Sequence, residues 1–442
     1  MNQEQSLNKE TGVDEVAAWV GLDWADNEHR ICLYDVATGH VEQSALKHSA
    51  EELQQWMAGL QKRYGGAKIA IVLEQSRGAV LYALMNYDFV VLYPVNPQSL
   101  ANYRKAFSTS GAKDDPGDAM LLMEMVRKHA TRFRPWTPDD PDTRGLRLLV
   151  EGRRQLVNQL TRLTNQLTSH LKNYYPQALE LAGDLSSRQA CDFLKRWPTL
   201  EALQTARPAH LRKFYQRYGR PRPETIEKRI EQIKQAVPLT QDRAVVLAGS
   251  MMAQGIALQV RSLLDVVDNY DLEIKRLFQS HPDRLVFESL PGAGAVLAPR
   301  LLAAFGADRE RWQSAAEIQQ LSGIAPVTER SGKSYWVHWR LACPKFLRQT
   351  FHEFAVSSTK WSAWAKAYYQ DLRDRGKRHH SAVRSLAYKW IRVLFACWKN
   401  RTPYDEQVFL DALTRRGSSL PQKALIVSQA RLLAKAGPVE NR

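Results

Sequence analysis

Between Gly111 and Ala119 the chain reads Gly-Ala-Lys-Asp-Asp-Pro-Gly-Asp-Ala, three carboxylates crowded at the mouth of an apolar helical run. Pro116 suits the first turn of a helix, where a missing amide hydrogen loses no partner, and Ala119 to Val126 continue at helical period. Asp115 and Asp118 then fall one turn apart on the same face. Carboxylates that close repel unless a proton or a cation intervenes, so the spacing suits a divalent metal. An acidic cap on the helix N-terminus accounts for the same residues without a metal. Two more acids end apolar runs: Val16 to Asp23 and Ala67 to Glu74 each read as a buried strand that stops on a carboxylate. Ligands of open sheets gather beyond the carboxyl ends of strands. Asp23, Glu74, Asp115 and Asp118 brought to one such edge would need compensating cations, and two Mg²⁺ ions are the natural occupants.

A second kind of chemistry is open to Ser331, which lies in a Ser-Gly turn between Arg330 and Lys333. A serine hydroxyl attacks a phosphate only if a base or metal takes its proton and cations offset the charge it meets. The flanking cations meet the second condition, and His338 is the only base nearby in the sequence. A plain turn is the alternative reading of the same residues.

The elements that must position these groups alternate between strand and helix at the start of the chain. Val16–Asp23, Arg30–Val36 and Val41–Lys47 read as strands, with the second as hairpin partner of the first; Glu51–Tyr64 reads as a helix. Ala67–Glu74 and Phe89–Tyr93 add strands around a short helix at Ala79–Asn86, which makes residues 1–135 an α/β domain with a mixed sheet. From Pro138 to Tyr175 one long helix carries Leu146, Leu149, Leu156, Leu160, Leu163 and Leu167 at coiled-coil spacing, with Arg153 in the one polar slot. A second stripe runs from Ile256 through Val260, Leu263, Val267, Tyr270 and Ile274 to Leu277; the two can pair within one chain or between subunits. These helices and the basic insert between them occupy 136–285. Within that insert, Arg207–Lys234 has nine Lys and Arg against three Glu, interleaved with Phe214, Tyr215 and Tyr218, and reads either as a nucleic-acid grip or as a solvated insert. A Pro291-Gly-Ala-Gly294 turn opens a mostly α-helical domain over 286–405; it resembles a helix-hairpin-helix element with amides suited to a phosphate, or is a plain tight turn. Residues 406–442 form a tail whose stretch from Ser418 to Arg442 is weakly amphipathic and reads as a loosely docked helix or as disordered.

With 442 residues and a net charge of +16, the composition is globular and calls for a polyanionic partner. The charge is uneven: residues 1–135 carry 14 basic against 17 acidic side chains, whereas 331–402 carry 15 against 3. Six of the twelve Trp fall between Trp336 and Trp398 in that basic block, a mixture that neutralises phosphates and stacks on unpaired bases. Helix core is the other use for such aromatics as Trp361, Trp364, Tyr368 and Trp390. Arg330, Lys333, Arg340, Lys345, Arg348, Lys377 and Arg378 are the candidate nucleic-acid contacts. Cys32, Cys191, Cys343 and Cys397 lack metal-ligand spacing. No run approaches the ~18 apolar residues of a membrane span and no leader is recognisable, so a cytoplasmic protein without membrane contact is expected.

The order Asp23, Glu74, Asp115-x-x-Asp118 resembles the RuvC-like, ribonuclease-H-like domain of the DEDD transposases of the insertion-sequence family called IS-one-ten. The third motif of that family reads Lys-Thr-Asp-x-x-Asp-Ala, and here it is Lys113-Asp-Asp-Pro-Gly-Asp-Ala119. Asp114 replaces the threonine, and Asp115 keeps the three-residue spacing. The run from Gly323-Ile-Ala-Pro326 to Ser331-Gly332 resembles the C-terminal transposase domain of the same family, where this serine is catalytic. Together with the Pro-Gly-x-Gly turn upstream, and Lys345-Phe-Leu-Arg348 and Gly376–Trp398 downstream, the resemblance spans nearly all of 16–402. It implies a DNA recombinase in which Asp23, Glu74, Asp115 and Asp118 hold Mg²⁺ and Ser331 forms a phosphoserine link to DNA. It further implies a noncoding bridge RNA that pairs with donor and target DNA, and a homo-oligomer, dimer or tetramer, whose active site is composite. Two other functions fit the same residues: a hydrolytic, metal-dependent nuclease of the Holliday-junction kind with Ser331 structural, and a nucleic-acid-binding scaffold whose acids are inactive.

Overall fold

The computed structural model describes residues 16–74, 78–107, 115–219 and 221–436, apart from the side chains of 115, 116 and 433–436. The chain divides into two compact units, Met1–Pro138 and Asp139–Arg442.

The first unit is built on strands β1 (Ala18–Asp23), β2 (Glu28–Asp35), β3 (Val41–Lys47), β4 (Ile69–Leu73) and β5 (Val90–Pro94), in the order β3-β2-β1-β4-β5. The first three form an antiparallel meander, while β4 runs parallel to β1 and β5 parallel to β4. Parallel neighbours need crossovers, supplied by helices α1 (Ala50–Tyr64) and α2 (Ala79–Leu84). Ser49 caps α1 by accepting from the Glu52 amide at 3.2 Å, and Gly65 in the left-handed region ends it. Alternation sorts β1 between two cores. Ala18, Val20 and Leu22 pack with Met57 and Leu60 of α1 and Leu81 and Leu84 of α2. Trp19 faces the opposite side, with Ala70 and Val72 of β4 and the helices α3 (Pro97–Lys105) and α4 (Asp115–Lys128). Gly21 shares that second face, and a Cβ there would overlap the Ala119 carbonyl oxygen and stand 2.9 Å from the Met123 amide nitrogen. A glycine is therefore required for α4 to lie directly on β1.

The second unit begins with a helical hairpin, α5 (Pro141–Tyr174) and α6 (Arg243–Ser280). A Cβ on Gly145 would meet Leu277, one on Gly152 would meet Tyr270, and one on Gly249 would meet Tyr174, so the two stripes pair antiparallel within one chain. Arg153, the polar residue of the stripe, is matched by Asp271 across the hairpin, with Nη2 to Oδ2 at 2.9 Å. Helix α6 does contain an 18-residue window of mean hydropathy 1.3, contrary to the expectation that no run approaches a membrane span. Only 28% of that window is buried, and Leu247, Met251 and Leu258 on it are exposed; the helix also carries Asp265 and Asp268, both paired to Arg188.

The basic insert folds into five short helices over a core that it shares with the hairpin, through Leu167, Leu171 and Tyr174 of α5 and Ala253, Ile256 and Val260 of α6. Phe214 and Tyr215 are each 1% exposed within that core, so the interleaved aromatics hold the insert together and are not offered to bases. The C-terminal helices α7 (Gly294–Phe305), α8 (Lys345–Trp361), α9 (Ala363–Asp374) and α10 (His379–Asn400) enclose a core rooted in both hairpin ends, Leu146 and Val150 with Ile274 and Leu277. Its indoles are buried with their N–H groups satisfied: Trp364 donates to the Tyr404 hydroxyl, Trp390 to Ser358 Oγ and Trp398 to the Gly306 carbonyl. Between Ala315–Leu321 and α8 lies an unexpected two-stranded ribbon, β6 (Val327–Ser331) and β7 (Ser334–His338). The described part of the tail is helical and docked: α11 (Glu406–Arg415) and α12 (Leu420–Ala436) follow, Leu420 and Ala424 enter the core, and Lys423 pairs with Asp371 of α9.

Candidate active site and nucleic-acid interface

In the first unit, the parallel register pairs Leu22 with Leu73, so Asp23 and Glu74 are the next residues on adjacent strands, ~4.8 Å apart at the backbone. Period-two alternation puts Asp23 on the face of Trp19 and Gly21, under α4. The contact at Gly21 presses Ala119 against β1, and Asp118 is its neighbour on α4. Three carboxylates thus share one sheet edge and the helix above it. Asp115 starts α4, but its side chain, like Lys113 and Asp114, lies outside the described residues. Glu74 and Asp23 are half-buried, and Asp118 is 2% exposed.

A carboxylate as buried as Asp118 needs a cation, and Arg104 of α3 supplies it: Nε donates to Oδ1 at 2.8 Å and Nη2 to the same oxygen. Among the described residues no three His, Cys, Asp or Glu side chains come together so as to hold a metal ion. By residue type the carboxylates suit Mg²⁺, which takes hard oxygen donors, while Asp118 is held here by a guanidinium. The loop after Asp23 is fixed from below: the Ala25 amide donates to His29 Nδ1 at 3.2 Å, which leaves the ring proton on Nε2 for His48 Nδ1 at 3.0 Å. Burial, and then His48, hold the His29 imidazole below its usual range.

Ser331 sits at the free end of the ribbon, cross-strand from Ser334, and Gly332 between them takes φ 56° at the first turn position. Both strands are exposed along almost their whole length. His338 is paired with Val327 at the other end, four residues from Ser331 along the strand, or ~13 Å, and it contacts Glu329 at 3.4 Å. It therefore does not reach the serine. Arg330, Lys333, Lys345, Lys377 and Arg378 are exposed, Arg340 and Arg348 half-buried, and among the described residues none of the seven pairs with a carboxylate. Trp336, Trp339 and Trp361 are 50%, 48% and 70% exposed, whereas Trp364, Trp390 and Trp398 are fully buried. Both uses of the aromatics are thus present, on different residues. In the Pro-Gly-x-Gly turn, Gly292 packs on Ser357, whose hydroxyl donates to the Gly292 carbonyl at 2.7 Å, while residues 294–296 at the start of α7 are exposed. Sequence reasoning missed Arg104 and Gly21: nothing in either local pattern signals a partner fourteen residues away or a helix lying on the strand.

Comparison with known proteins converges on one group. A family model described as "Transposase", of the DEDD IS110 type, matches residues 20–176, and one described as "Transposase IS116/IS110/IS902 family" matches residues 285–370. The chain is 27% identical over 402 residues to the "Mini-circle putative transposase for IS117" of Streptomyces coelicolor, covering 89% of this chain and 97% of that protein. It is 26% identical to the IS110 43.6 kDa protein of the same organism, over 89% of this chain and 97% of the relative. The IS900 42 kDa protein of Mycobacterium paratuberculosis is 25% identical, over 87% and 96%.

Proposed function

The chain belongs to the IS116/IS110/IS902 family of transposases and is a DNA-cutting and rejoining enzyme, and we propose that it does so through a phosphoserine intermediate on Ser331. The observation that carries this reading is the position of Ser331 at the exposed end of the ribbon, between Arg330 and Lys333, neither of which pairs with an acid among the described residues. In the proposed step Oγ attacks a phosphodiester phosphorus and gives up its proton; an Oγ–P bond forms and the bond to the leaving deoxyribose oxygen breaks. That oxygen leaves as a hydroxyl, and a DNA hydroxyl later displaces Ser331 and restores the diester. Because one diester replaces another, strands exchange without an outside energy source. Arg330 and Lys333 offset the charge on the phosphate under attack. His338, at the far end of the ribbon, is not the proton acceptor.

The strand order β3-β2-β1-β4-β5, with acids ending β1 and β4, supports a RuvC-like, ribonuclease-H-like first unit. Asp23, Glu74, Asp115 and Asp118 would hold Mg²⁺, which when bound would stabilise charge on phosphate oxygens. The acids and the serine would form a composite site in a homo-oligomer. A bridge RNA pairing with donor and target DNA would occupy part of the cationic surface of the second unit and leave sequence choice to base pairing.

The test is covalent trapping: full-length protein, Mg²⁺, DNA carrying the element's recombined ends and RNA transcribed from its flanks, resolved on a denaturing gel. A protein–DNA adduct is expected from the native chain and none from Ser331→Ala. Cleaved DNA without adduct, unaffected by Ser331→Ala and abolished by Asp23→Ala, would replace this reading with hydrolysis.

A further inference from the structure

The base of the ribbon carries a group of cations that no acid among the described residues offsets. Trp339, one residue past β7, is 48% exposed, and two guanidiniums gather on its indole: Arg384 Cζ lies 4.4 Å and Arg348 Cζ 5.3 Å from the ring centroid. Arg348 is held in place by its backbone contacts, Nη2 donating to the Arg340 carbonyl at 2.5 Å and the Leu341 carbonyl at 2.9 Å, while its Nε is buried without a partner. Behind Arg384, His352 of α8 lies 5.6 Å from His380, and His380 lies 4.9 Å from His379, both at the start of α10. His379 is oriented by the Tyr369 hydroxyl at 2.8 Å.

Elsewhere in this unit buried arginines come with acids: Arg300 with Glu353, Arg309 with Asp283, Arg311 with Asp139. Among the described residues Arg348, Arg384, His352, His379 and His380 have no such partner. The crowding registers in their titration: burial and then Arg348 lower Arg384, and burial, His380 and His379 lower His352. Like charges assembled at a surface repel, and an anion that enters relieves them. The planar guanidinium fork of Arg384 matches two oxygens of a phosphate, Arg348 adds a donor through Nη1 because its Nη2 is engaged and its Nε buried, and an indole that fixes their orientation reduces what is lost on binding.

We propose that Arg348 and Arg384, oriented on the Trp339 indole and backed by His352, His379 and His380, clamp one phosphodiester of the DNA strand that the ribbon delivers to Ser331. Trp339 continues the strand whose first residue pairs with Ser331, so the clamp and the serine are set at the two ends of one short ribbon. A strand running along the ribbon would be held at one phosphate while another meets Ser331. These are positioning residues, and the inference rests on the reading of Ser331 as the residue that attacks DNA.

The test uses the full chain and two fluorescent probes of the same sequence, a DNA duplex of the element's ends and an RNA. Binding is measured across salt concentrations alongside the adduct assay. Arg348→Gln and Arg384→Gln are each expected to weaken DNA binding about tenfold and lower the salt slope by about one. Arg384→Lys should keep the slope while losing part of the affinity, which separates lost charge from lost stacking, and thermal melting confirms folding. Arg276→Gln, on the hairpin, serves as the surface-charge control and should change neither. Unchanged DNA affinity and slope in both glutamine variants, with adduct still formed by the native chain, would overturn the clamp and leave the serine reading intact. Loss confined to the RNA probe would overturn it in favour of an RNA site. No adduct from the native chain would remove the reading on which the clamp rests.

Discussion

Removing Arg104 tests whether the carboxylate edge of the first unit is built around a cation. The Asp118 side chain is 3% exposed and that of Arg104 24%, joined through two guanidinium N–H groups to one oxygen. Breaking a fully buried pair costs about 3–5 kcal/mol because a charge is left without a partner. An exposed pair is worth about 0–1 kcal/mol. With the arginine a quarter exposed, water reaches part of the site, so Arg104→Gln should cost about 2–3 kcal/mol. At the size of this unit, ~4 °C per kcal/mol converts that to a fall of about 8–12 °C in its melting transition. Arg104→Lys keeps the charge but cannot repeat the two-pronged contact and should recover about half. The distinguishing measurement is melting with and without Mg²⁺. If the arginine occupies the place of a cation, its loss makes the site more receptive, and saturating Mg²⁺ should stabilise Arg104→Gln more than the native chain, by up to about 2.7 kcal/mol at a hundredfold excess over Kd. A loss below about 0.5 kcal/mol would mean solvent already screens Asp118. Equal Mg²⁺ shifts in both proteins would refute the claim that Arg104 stands where a metal binds.

Gly21→Ala should destabilise the first unit by about 3 kcal/mol, the upper end for overpacking, because the new methyl meets the Ala119 backbone and no side chain can move aside. Urea midpoints check this, and a loss under about 1 kcal/mol would mean that α4 does not lie on β1 at that point. The protein should also lose stability as pH falls below about 6.5, because burial, the largest cause, lowers His29, His281 and His352 in the folded state and the unfolded chain takes up protons first. The loss begins at the unfolded value and is complete below the folded ones, so the urea midpoint should be lower at pH 5.5 than at pH 7.5; an unchanged or higher midpoint at pH 5.5 would contradict it.

The first unit was legible because its signals are local. Period two in β1 and β4 and an acid at each strand end locate Asp23 and Glu74 without any knowledge of the partner strand, and the parallel register then sets them side by side. The hairpin stripes were equally plain, but a stripe does not say which chain it will meet; the match of Gly152 to Tyr270 and of Arg153 to Asp271 decides that, and it exists only across 118 residues. The ribbon escaped notice because alternation betrays a strand only when one face is buried, and Val327–His338 buries neither. In the insert the aromatics were misjudged although the signal was there: Leu211, Phe214 and Tyr215 follow helical spacing and so mark a core face. Composition counts cations without saying which of them are already neutralised. The described partners do say so. Arg153, Arg188, Arg300, Arg309 and Arg311 each meet an acid, whereas Arg330, Lys333, Arg348 and Arg384 meet none. The ribbon that carries Ser331 and its base thus hold positive charge that no described acid neutralises, which stability of the fold alone does not require.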